Sequence, residues 1–353
     1  MASQTIETIR MAIAKFDTAK VPIAALLVVN LKRSGTADDY AEFSVLTEYF
    51  SDKELEDLLT GFREIASYVD VSFGEKEFIT KLANGYFNKL DGHHKIVYAS
   101  TGSGLSRCRS AVTPGLCELY KLDYCSSDAC TAAVLENKIS AIRTLRYGGF
   151  PMPNTYFYDH VAGWLEDSRP RLDQILIAKP AYECASIGVN ENAVSKWSAA
   201  FEAHVKRLSQ MLRQPMILQE FIHGYEVETP VFEAESPIAP SCVGVSIAGD
   251  KDLGSRFFTY EQIYSDDFSL YNFDLHHPEL AVKMKDCATS VFSFLQLRGT
   301  VRIDFRVKEN GEFFIMDCNN SPHIVPGHSV HYSMQLLGFT FPETLKLILS
   351  SSI

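Results

Sequence analysis

The sequence predicts a mixed α/β and α+β protein of three domains, and three observations lead to this prediction. The chain has 353 residues, and at about 150 residues per domain this length corresponds to two or three domains. Strand-like and helix-like runs alternate over the first third of the chain, which is typical of a small α/β domain. The pattern then changes twice. We therefore expect an N-terminal α/β domain over residues 1–127, a central domain over 128–222 and a C-terminal domain over 223–353.

The N-terminal segment is predicted to contain two strands and an amphipathic helix. The apolar runs Ala24–Val29 and Lys95–Ala99 are typical of buried strands. Residues Asp52–Val69 predict a helix, because apolar residues recur there at positions i, i+3, i+4 and i+7. The longest apolar run, Val21–Val29, is far shorter than the roughly 20 residues that a membrane-spanning helix needs. It is therefore expected to be a strand.

The two later segments mix helices and strands. Either Ser127 or Asp128 could cap a helix over Thr131–Tyr147, which two glycines end. A long helix is also predicted over Glu191–Arg213, and another over Pro278–Leu297. The remaining runs read as strands: Ile175–Ala178, Met216–Phe221, Glu226–Glu233 and Ser241–Ala248.

Composition limits the classes of function. The apolar fraction of 46% and the charged fraction of 22% are ordinary for a soluble globular chain. A formal net charge of −11 argues against nucleic-acid wrapping and against a basic membrane-binding surface. The polar start of the chain is unlike a secretory signal. We expect a cytoplasmic protein whose partners are small molecules.

The cysteines and histidines do not predict a zinc site. None of the eight cysteines forms a Cys-x-x-Cys pair, so free and mostly buried thiols in a reducing compartment are expected. The histidines at 93/94, 276/277 and 323/328/331 match no common zinc spacing. They are interpreted as substrate-loop or surface residues.

The most informative stretch is a predicted hairpin over residues 299–319. Asn310-Gly311 lies between two strand-like runs, which indicates a two-residue turn. Such a turn would pair Asp304 with Asp317 and Arg302 with Asn319, with all four side chains on one face.

Two facing carboxylates are destabilising unless a cation lies between them. Carboxylates of this kind suit Mg²⁺, which commonly takes one or two of them and shares phosphate oxygens. Arg302 on the same face could supply the fixed positive charge that phosphoryl transfer needs. The alternative is a surface hairpin with its polar face in water.

With this hairpin, the sequence resembles the ATP-grasp ligases, particularly the D-alanine–D-alanine ligase branch. The resemblance extends from about Tyr120 to the C terminus. The motif is Arg302-Ile-Asp304 followed by Asp317-x-Asn319-x-Ser321-Pro322. The resemblance implies that Arg302 stabilises the transferred phosphoryl group and that Asp304, Asp317 and Asn319 hold two Mg²⁺ ions, with Mn²⁺ as a substitute. The second acid is usually Glu, so Asp317 is a departure from the family pattern.

The resemblance also implies a nucleotide site between the central and C-terminal domains of a three-domain ATP-grasp architecture. Lys138 and Lys179 match the two lysines that contact ATP. The loop Glu183–Gly188 matches a phosphate loop in which Glu183 and Ser186 would contact the nucleotide and Ser186 would take part in catalysis. The expected adenine and ribose contacts are Gln219, Glu220, Ile222 and Glu226.

Substrate contacts follow from the same resemblance. Tyr264 matches a tyrosine beside the first substrate, and His328-Ser329 match a pair near the second substrate's carboxylate. His323 stands where glycine is usual. Ser321 and Arg107 complete the expected contacts, with Arg109 as a second candidate. The acid that holds the first substrate's amino group has no clear match, and Asp38, Asp39 and Glu42 are read either as that acid or as a surface helix start.

The expected reaction is the joining of a carboxylate, such as that of an amino acid, to an amine through an acyl phosphate, with ATP converted to ADP. Altered specificity, in specialised metabolism, is predicted from the departures described above. The resemblance favours a homodimer. The alternative is a catalytically silent nucleotide-binding scaffold or regulatory protein, although such a protein has no need of the hairpin charges.

Overall fold

The computed structural model describes residues 2–32, 49–261 and 268–353. Within them the chain forms three sheets in chain order, flanked by helices. No helix in these ranges has the length and apolar character needed to cross a bilayer.

The first sheet is parallel, with the strand order β2-β1-β3-β4. Its strands are β1 Ile23–Val29, β2 Tyr68–Phe73, β3 His94–Ser100 and β4 Asp123–Tyr124. Every residue of β1 is buried, because helices cover both faces of the sheet. The helices of this region are Ala2–Asp17, Asp52–Ile65, Glu75–Ala83 and Val112–Tyr120.

The second sheet is antiparallel, with the order β6-β5-β9-β7-β8. Its strands are β5 Thr155–Asp159, β6 Gly163–Trp164, β7 Ile175–Pro180, β8 Val194–Lys196 and β9 Met216–Glu220. The helices of this region are Ala129–Glu136, Lys138–Tyr147 and Ala199–Leu212.

The third sheet is also antiparallel, with the order β12-β11-β10-β13-β14. Its strands are β10 Tyr225–Phe232, β11 Val243–Ser246, β12 Ser269–Asn272, β13 Thr300–Val307 and β14 Phe313–Asn319. Two helices, Phe273–His276 and Pro278–Phe294, lie between β12 and β13, and two more, Ser329–Gln335 and Phe341–Ser350, follow β14.

The last helix packs against the helices Ala2–Asp17 and Asp52–Ile65, whereas Ser329–Gln335 also contacts β10 and β11 of the third sheet. Val330, Met334 and Leu345 belong to the same apolar cluster as Leu27 and Phe62. The end of the chain therefore returns to its beginning. The proposed boundaries at residues 127 and 222 stay predictions.

The predicted helix over 131–147 is wrong in one respect, because it breaks at Asn137. This residue has φ −86° and ψ 89°, outside the helical region. The backbone N–H of Lys138 leaves the first helix and donates to the carbonyl of Ala181 (3.0 Å). The break makes Lys138 the first residue of a new helix. The predicted cap is confirmed at Asp128, whose side chain accepts from the Thr131 N–H (2.9 Å).

Two other helices are shorter than predicted, because strand pairing replaces part of each. The helix from Asp52 ends at Ile65, and Tyr68–Phe73 instead pairs with β1. The helix predicted from Glu191 begins at Ala199, since the short strand β8 pairs with the edge of β7. Backbone hydrogen bonds to a neighbouring strand are long-range interactions that periodicity does not report.

The β13–β14 loop is longer than the predicted two-residue turn. The N–H of Lys308 donates to the carbonyl of Glu312 (2.8 Å), and the N–H of Gly311 donates to the carbonyl of Lys308 (2.9 Å). Three residues, 309–311, therefore form the loop, and Gly311 has a left-handed φ of 82°. Glycine adopts this conformation without steric cost.

A β-bulge nevertheless restores the predicted pairing. Phe305 pairs with Ile315, whereas Asp304 pairs with Asp317, so Met316 is the extra residue. The extra loop residue and the bulge each shift the register by one, in opposite senses. The predicted pairs Asp304–Asp317 and Arg302–Asn319 are confirmed, although the predicted turn type is wrong.

Candidate functional site

Two adjacent cavities, each of about 220 Å³, lie beside the β13–β14 hairpin. The one that we call the lysine cavity is lined by Lys138 and Lys179. The other, the histidine cavity, is lined by His323 and His328. The two share four lining residues: Cys184, Ala185, Glu228 and Arg302. A molecule in one cavity would thus be in reach of a molecule in the other.

The hairpin carries alternating charges at the junction of the cavities. Arg302 donates two hydrogen bonds to Asp304, from Nε (2.7 Å) and Nη2 (2.9 Å). Lys138 donates to the Asp317 carboxylate from the helix that begins after the Asn137 break. The predicted metal-binding acids are thus held by cations from two different parts of the chain.

The neighbouring charges set the protonation of this cluster. Burial raises the pKa of Asp304 to about 7, against the opposing effect of Arg302. Burial would also raise the pKa of Asp317, but Lys138 and Lys179 reverse this and lower it. Burial lowers the pKa of Lys179. In Lys138 the attraction of Asp317 outweighs burial and raises the pKa.

Glu228 is a site residue that the sequence reasoning missed. It lies on β10 directly opposite Asp304 of β13, and its Oε1 is 3.1 Å from Nη2 of Arg302. It also lines both cavities. An alternating pattern on a strand could have placed it on the same face as Glu226, but only the β10–β13 register brings it to Arg302.

Lys179 and Gln219 contact each other across neighbouring strands. Nζ of Lys179 donates to Oε1 of Gln219 (3.3 Å), and Nε2 of Gln219 donates to Thr155 (3.4 Å). Lys179 lines the lysine cavity, whereas the 1% exposed Gln219 is not one of its lining residues. The carboxylate of Glu220 accepts from Asn154 (2.7 Å). The adenine contacts expected of Gln219 and Glu220 stay predictions.

The predicted phosphate loop has two tight turns. Ala185 and Ser186 adopt left-handed φ values of 46° and 55°, which are uncommon outside glycine. Oγ of Ser186 donates to the carbonyl of Phe258 (3.1 Å), which ties the loop to a distant segment. Two successive residues of the loop other than glycine thus hold a strained backbone conformation.

Glu183 at the start of this loop faces a buried arginine. Its Oε2 lies 3.3 Å from Nη2 of Arg109, and its Oε1 accepts from Gln214 (2.8 Å). Arg109 also approaches Glu136 (3.3 Å) and is only 3% exposed. It lines the histidine cavity, whereas Arg107 is exposed and lines neither cavity. Of the two candidate arginines, only Arg109 lines the cavity, and the substrate contact expected of Arg107 stays a prediction.

Arg306 is a second residue that the sequence reasoning missed. Its guanidinium donates to the carbonyl of Ile222 (3.0 Å) and to Oε2 of Glu226 (2.8 Å). All three residues line the lysine cavity. Arg306 thereby fixes the two residues that were expected to contact adenine and ribose.

A cluster of Glu54, His323 and His328 lines the histidine cavity. Oε1 of Glu54 is 3.0 Å from Nε2 of His328 and 3.4 Å from Nδ1 of His323. Burial would raise the pKa of Glu54, but hydrogen bonds from these histidines and from Ser51 hold it far below its usual range. His323 also stacks on Phe50, with ring centroids 4.7 Å apart.

Three further predicted site residues line the histidine cavity. Asn319, Ser321 and Ser329 all line it, and Oδ1 of Asn319 accepts from the N–H of Ser321 (2.9 Å). Tyr264 lies outside the described residues, as do the candidate acids Asp38, Asp39 and Glu42.

The donor set of the hairpin fits Mg²⁺. Asp304 and Asp317 face each other, line the lysine cavity and offer carboxylate oxygens, the ligands that Mg²⁺ prefers. The amide of Asn319 follows two residues after Asp317 on the same strand. Lys138 forms an ion pair with Asp317, and Arg302 forms one with Asp304.

A family model and a D-alanine–D-alanine ligase match the sequence of this chain. The family model for the D-ala D-ala ligase C-terminus matches residues 155–350, more than half of the chain. D-alanine–D-alanine ligase from Acetivibrio thermocellus is 26% identical over 250 residues, which are 68% of this chain and 63% of that protein. The chain thus aligns with less than two thirds of that relative's length.

Solved structures extend the similarity of fold to nearly the whole chain. D-alanine–D-alanine ligase from Bacillus anthracis complexed with ATP matches with a TM-score of 0.65 at 13% identity, over 94% of this chain and 97% of that one. The VanG D-Ala:D-Ser ligase from Enterococcus faecalis matches with a TM-score of 0.64 at 15% identity, over 94% and 100%.

The fold, together with the family model, is that of the ATP-grasp ligases, which confirms the predicted fold class. The match over residues 155–350 identifies the branch: the chain belongs to the D-alanine–D-alanine ligase family.

Proposed function

We propose that this protein is an ATP-dependent ligase that joins the carboxylate of an amino acid to an amine and releases ADP and phosphate. The observation that carries the proposal is the junction of the two cavities at Arg302 and Glu228. A nucleotide in the lysine cavity and an acid in the histidine cavity would meet there. Both substrates would be positioned before reaction, which is the main source of rate in phosphoryl transfer.

The lysine cavity suits a nucleotide. Lys138 and Lys179 offer ammonium groups to phosphate oxygens, and the loop of residues 183–188 offers backbone N–H groups. Glu226, held by Arg306, is available to ribose hydroxyls. We propose that the backbone of Glu220 and Ile222 contacts the edge of the adenine ring and that the side chain of Gln219 contacts the adenine amino group.

Asp304, Asp317 and Asn319 would hold Mg²⁺, one or two ions, with Mn²⁺ as a substitute. A dication there neutralises the charge of the phosphate oxygens. The chain's own contribution is Arg302, which faces the junction and supplies a fixed positive charge where negative charge develops. Asp317 has a shorter side chain than the glutamate usual in the family, and its tie to Lys138 holds it toward the cavity.

The bond changes follow from this arrangement. A carboxylate oxygen of the acid bonds to the γ-phosphorus as the bond from that phosphorus to the β–γ bridging oxygen breaks, giving ADP and an acyl phosphate. The amine nitrogen then bonds to the acyl carbon, phosphate leaves and the amine loses a proton. Closure of the loop of residues 183–188 over the junction would exclude water from the acyl phosphate.

The histidine cavity suggests altered substrate specificity. We propose that Glu54, rather than the predicted Asp38, Asp39 or Glu42, approaches the amino group of the first substrate. Ser321 and Ser329 are available to a carboxylate of the second. His323 replaces a usual glycine and reduces the space of the cavity, which supports a substrate pair different from two D-alanines and a role in specialised metabolism.

Turnover with substrate pools tests the proposal. The purified protein is incubated with ATP and Mg²⁺ and with pools of D- or L-amino acids, and ADP and coupled products are followed by mass spectrometry. We expect ADP release above the blank with at least one pool. Absence of both ADP and coupled product with every pool would overturn the proposal.

The second candidate is a silent scaffold that binds nucleotide and acts through a partner. Asp317→Ala separates the two: turnover is lost in a ligase, whereas partner binding survives in a scaffold. The charge cluster around Arg302 favours the ligase. We further propose small-molecule substrates without nucleic-acid or membrane partners, a cytoplasmic location and a homodimer.

A further inference from the structure

We propose that Glu54, His323 and His328 form a binding site for a transition-metal dication of the zinc type, separate from the hairpin's magnesium site. The site combines two imidazoles and one carboxylate at the wall of the histidine cavity. Its binding of metal does not depend on the ligase function proposed above, and an ion there would compete with a substrate amino group for Oε1 of Glu54.

The distances suit a single ion. In a tetrahedral zinc site with bonds of about 2.0–2.1 Å, neighbouring ligand atoms are roughly 3.4 Å apart. Oε1 of Glu54 lies 3.4 Å from His323 Nδ1 and 3.0 Å from His328 Nε2. One ligand atom from each of the three residues lies within 4.8 Å of the others. Small side-chain rotations would bring all three atoms to one ion.

Glu54 is already oriented as a ligand. It is the third residue of the helix Asp52–Ile65, and its Oε2 accepts from both the N–H and the hydroxyl of Ser51 (2.7 Å each). This capping box fully occupies Oε2 and turns Oε1 toward the histidines. A fixed outer hydrogen bond of this kind is what orients metal ligands.

The histidines are also restrained from outside. His323 stacks on the buried Phe50, and the His323 and His328 rings lie 5.0 Å apart at 60°. His328 precedes the helix Ser329–Gln335 as its cap residue. The ligands thus come from the start of one helix, a loop and the residue before another helix.

Nitrogen ligands determine the class of ion. Two imidazoles favour Zn²⁺, Cu²⁺, Ni²⁺ or Co²⁺ over Mg²⁺, which prefers oxygen ligands. The hairpin offers only oxygen, so the two sites should differ in selectivity. With three protein ligands, a tetrahedral ion keeps one position open toward the cavity.

Metal titration tests the proposal with the full chain, in excess Mg²⁺ and without nucleotide or amino acid, so that the result is independent of turnover. We expect one equivalent of Zn²⁺ by calorimetry, and Co²⁺ to give the visible absorption of a site of low coordination number. His323→Ala and His328→Ala should each weaken Zn²⁺ binding by about 100-fold or more, since loss of an outer partner alone costs about 10–100-fold.

Two variants serve as controls. His94→Ala removes a surface histidine that pairs with Asp123 (2.7 Å), and Asp304→Asn removes a hairpin acid. Both should bind Zn²⁺ as the unchanged chain does, and thermal unfolding verifies that each variant is folded. Zn²⁺ binding lost in Asp304→Asn but kept in His323→Ala would assign zinc to the hairpin and overturn the proposal. Absence of stoichiometric Zn²⁺ and Co²⁺ binding by the unchanged chain would also overturn it.

Discussion

The ammonium group of Lys138 donates a hydrogen bond to the carboxylate of Asp317, 179 positions further along the chain. Lys138 begins a helix beside the second sheet, and Asp317 lies on the third sheet. The contact therefore links a helix of the second region to a strand of the third sheet, and both residues line the lysine cavity.

Replacing Lys138 should weaken nucleotide binding. Lys138→Met leaves the Asp317 carboxylate facing the cavity without its cation, so that it repels the phosphates of ATP. We expect the ATP dissociation constant to rise at least about tenfold, corresponding to the loss of one charge-assisted hydrogen bond. Calorimetric ATP binding measures this.

Lys53→Met is the matched control, because it removes an exposed lysine that also pairs with an aspartate, Asp57. It should leave ATP affinity unchanged, since surface pairs contribute little. Equal ATP affinity in the Lys138 variant and the control would contradict a role of Lys138 in the nucleotide site.

Glu228→Gln should reduce turnover more than ATP binding. The substitution keeps the shape of the side chain but removes the charge that lies 3.1 Å from Arg302 at the junction. Because Arg302 would lose one of its two carboxylate partners, we expect kcat to fall by about 10–100-fold with a small change in the KM for ATP. Steady-state ADP release measures both.

The exposed Glu235 provides the control for Glu228. Glu235→Gln should behave like the unchanged chain. A Glu228→Gln variant with full kcat would show that the carboxylate at the junction is dispensable.

Gly188 should not tolerate alanine. It ends the phosphate loop with φ 80°, and an added Cβ would lie 2.9 Å from Pro180 and 3.1 Å from Leu212. We expect Gly188→Ala to lower the free energy of unfolding by about 2–4 kcal/mol, from backbone strain and overpacking together. Thermal or denaturant unfolding measures the loss.

Gly163→Ala separates the two causes. Gly163 has nearly the same φ, 76°, but a Cβ there would meet nothing within 4 Å. The control should show the backbone cost alone, about 1–2 kcal/mol. If both variants lower the free energy of unfolding equally, the close contacts of the added Cβ with Pro180 and Leu212 do not destabilise the protein.

The cysteines should differ widely in reactivity. Burial raises the pKa of Cys117, Cys125 and Cys242 to about 12, so that almost no reactive thiolate forms at pH 8. Cys108 and Cys130 are exposed free thiols. We expect alkylation of the native protein at pH 8 to modify the exposed pair first, and unfolding to open the buried thiols.

Mass-spectrometric mapping of the alkylated positions measures this order. The rate at the buried thiols should rise with pH up to about 12, because the thiolate fraction still grows there. Rapid alkylation of Cys125 in the native protein would show that the core beside it opens readily.

The charged face of the hairpin was predictable because strand alternation is a local property. Arg302 and Asp304 are two residues apart on one strand, and Asp317 and Asn319 are two apart on its partner, so that all four lie on one side of a two-stranded ribbon. The predicted pairing of these residues is correct although the loop has three residues and Met316 forms a bulge, because the two register shifts cancel. The helix cap at Asp128 was likewise a local signal.

Contacts between distant segments were decided by the tertiary structure alone. Glu54, Glu228 and Arg306 had no motif that marked them, and each reaches the site because a sheet register or a packed helix brings it there. The same holds for the break at Asn137. Local patterns report neighbours in sequence, whereas a binding site is defined by neighbours in space, and those depend on how the sheets and helices pack.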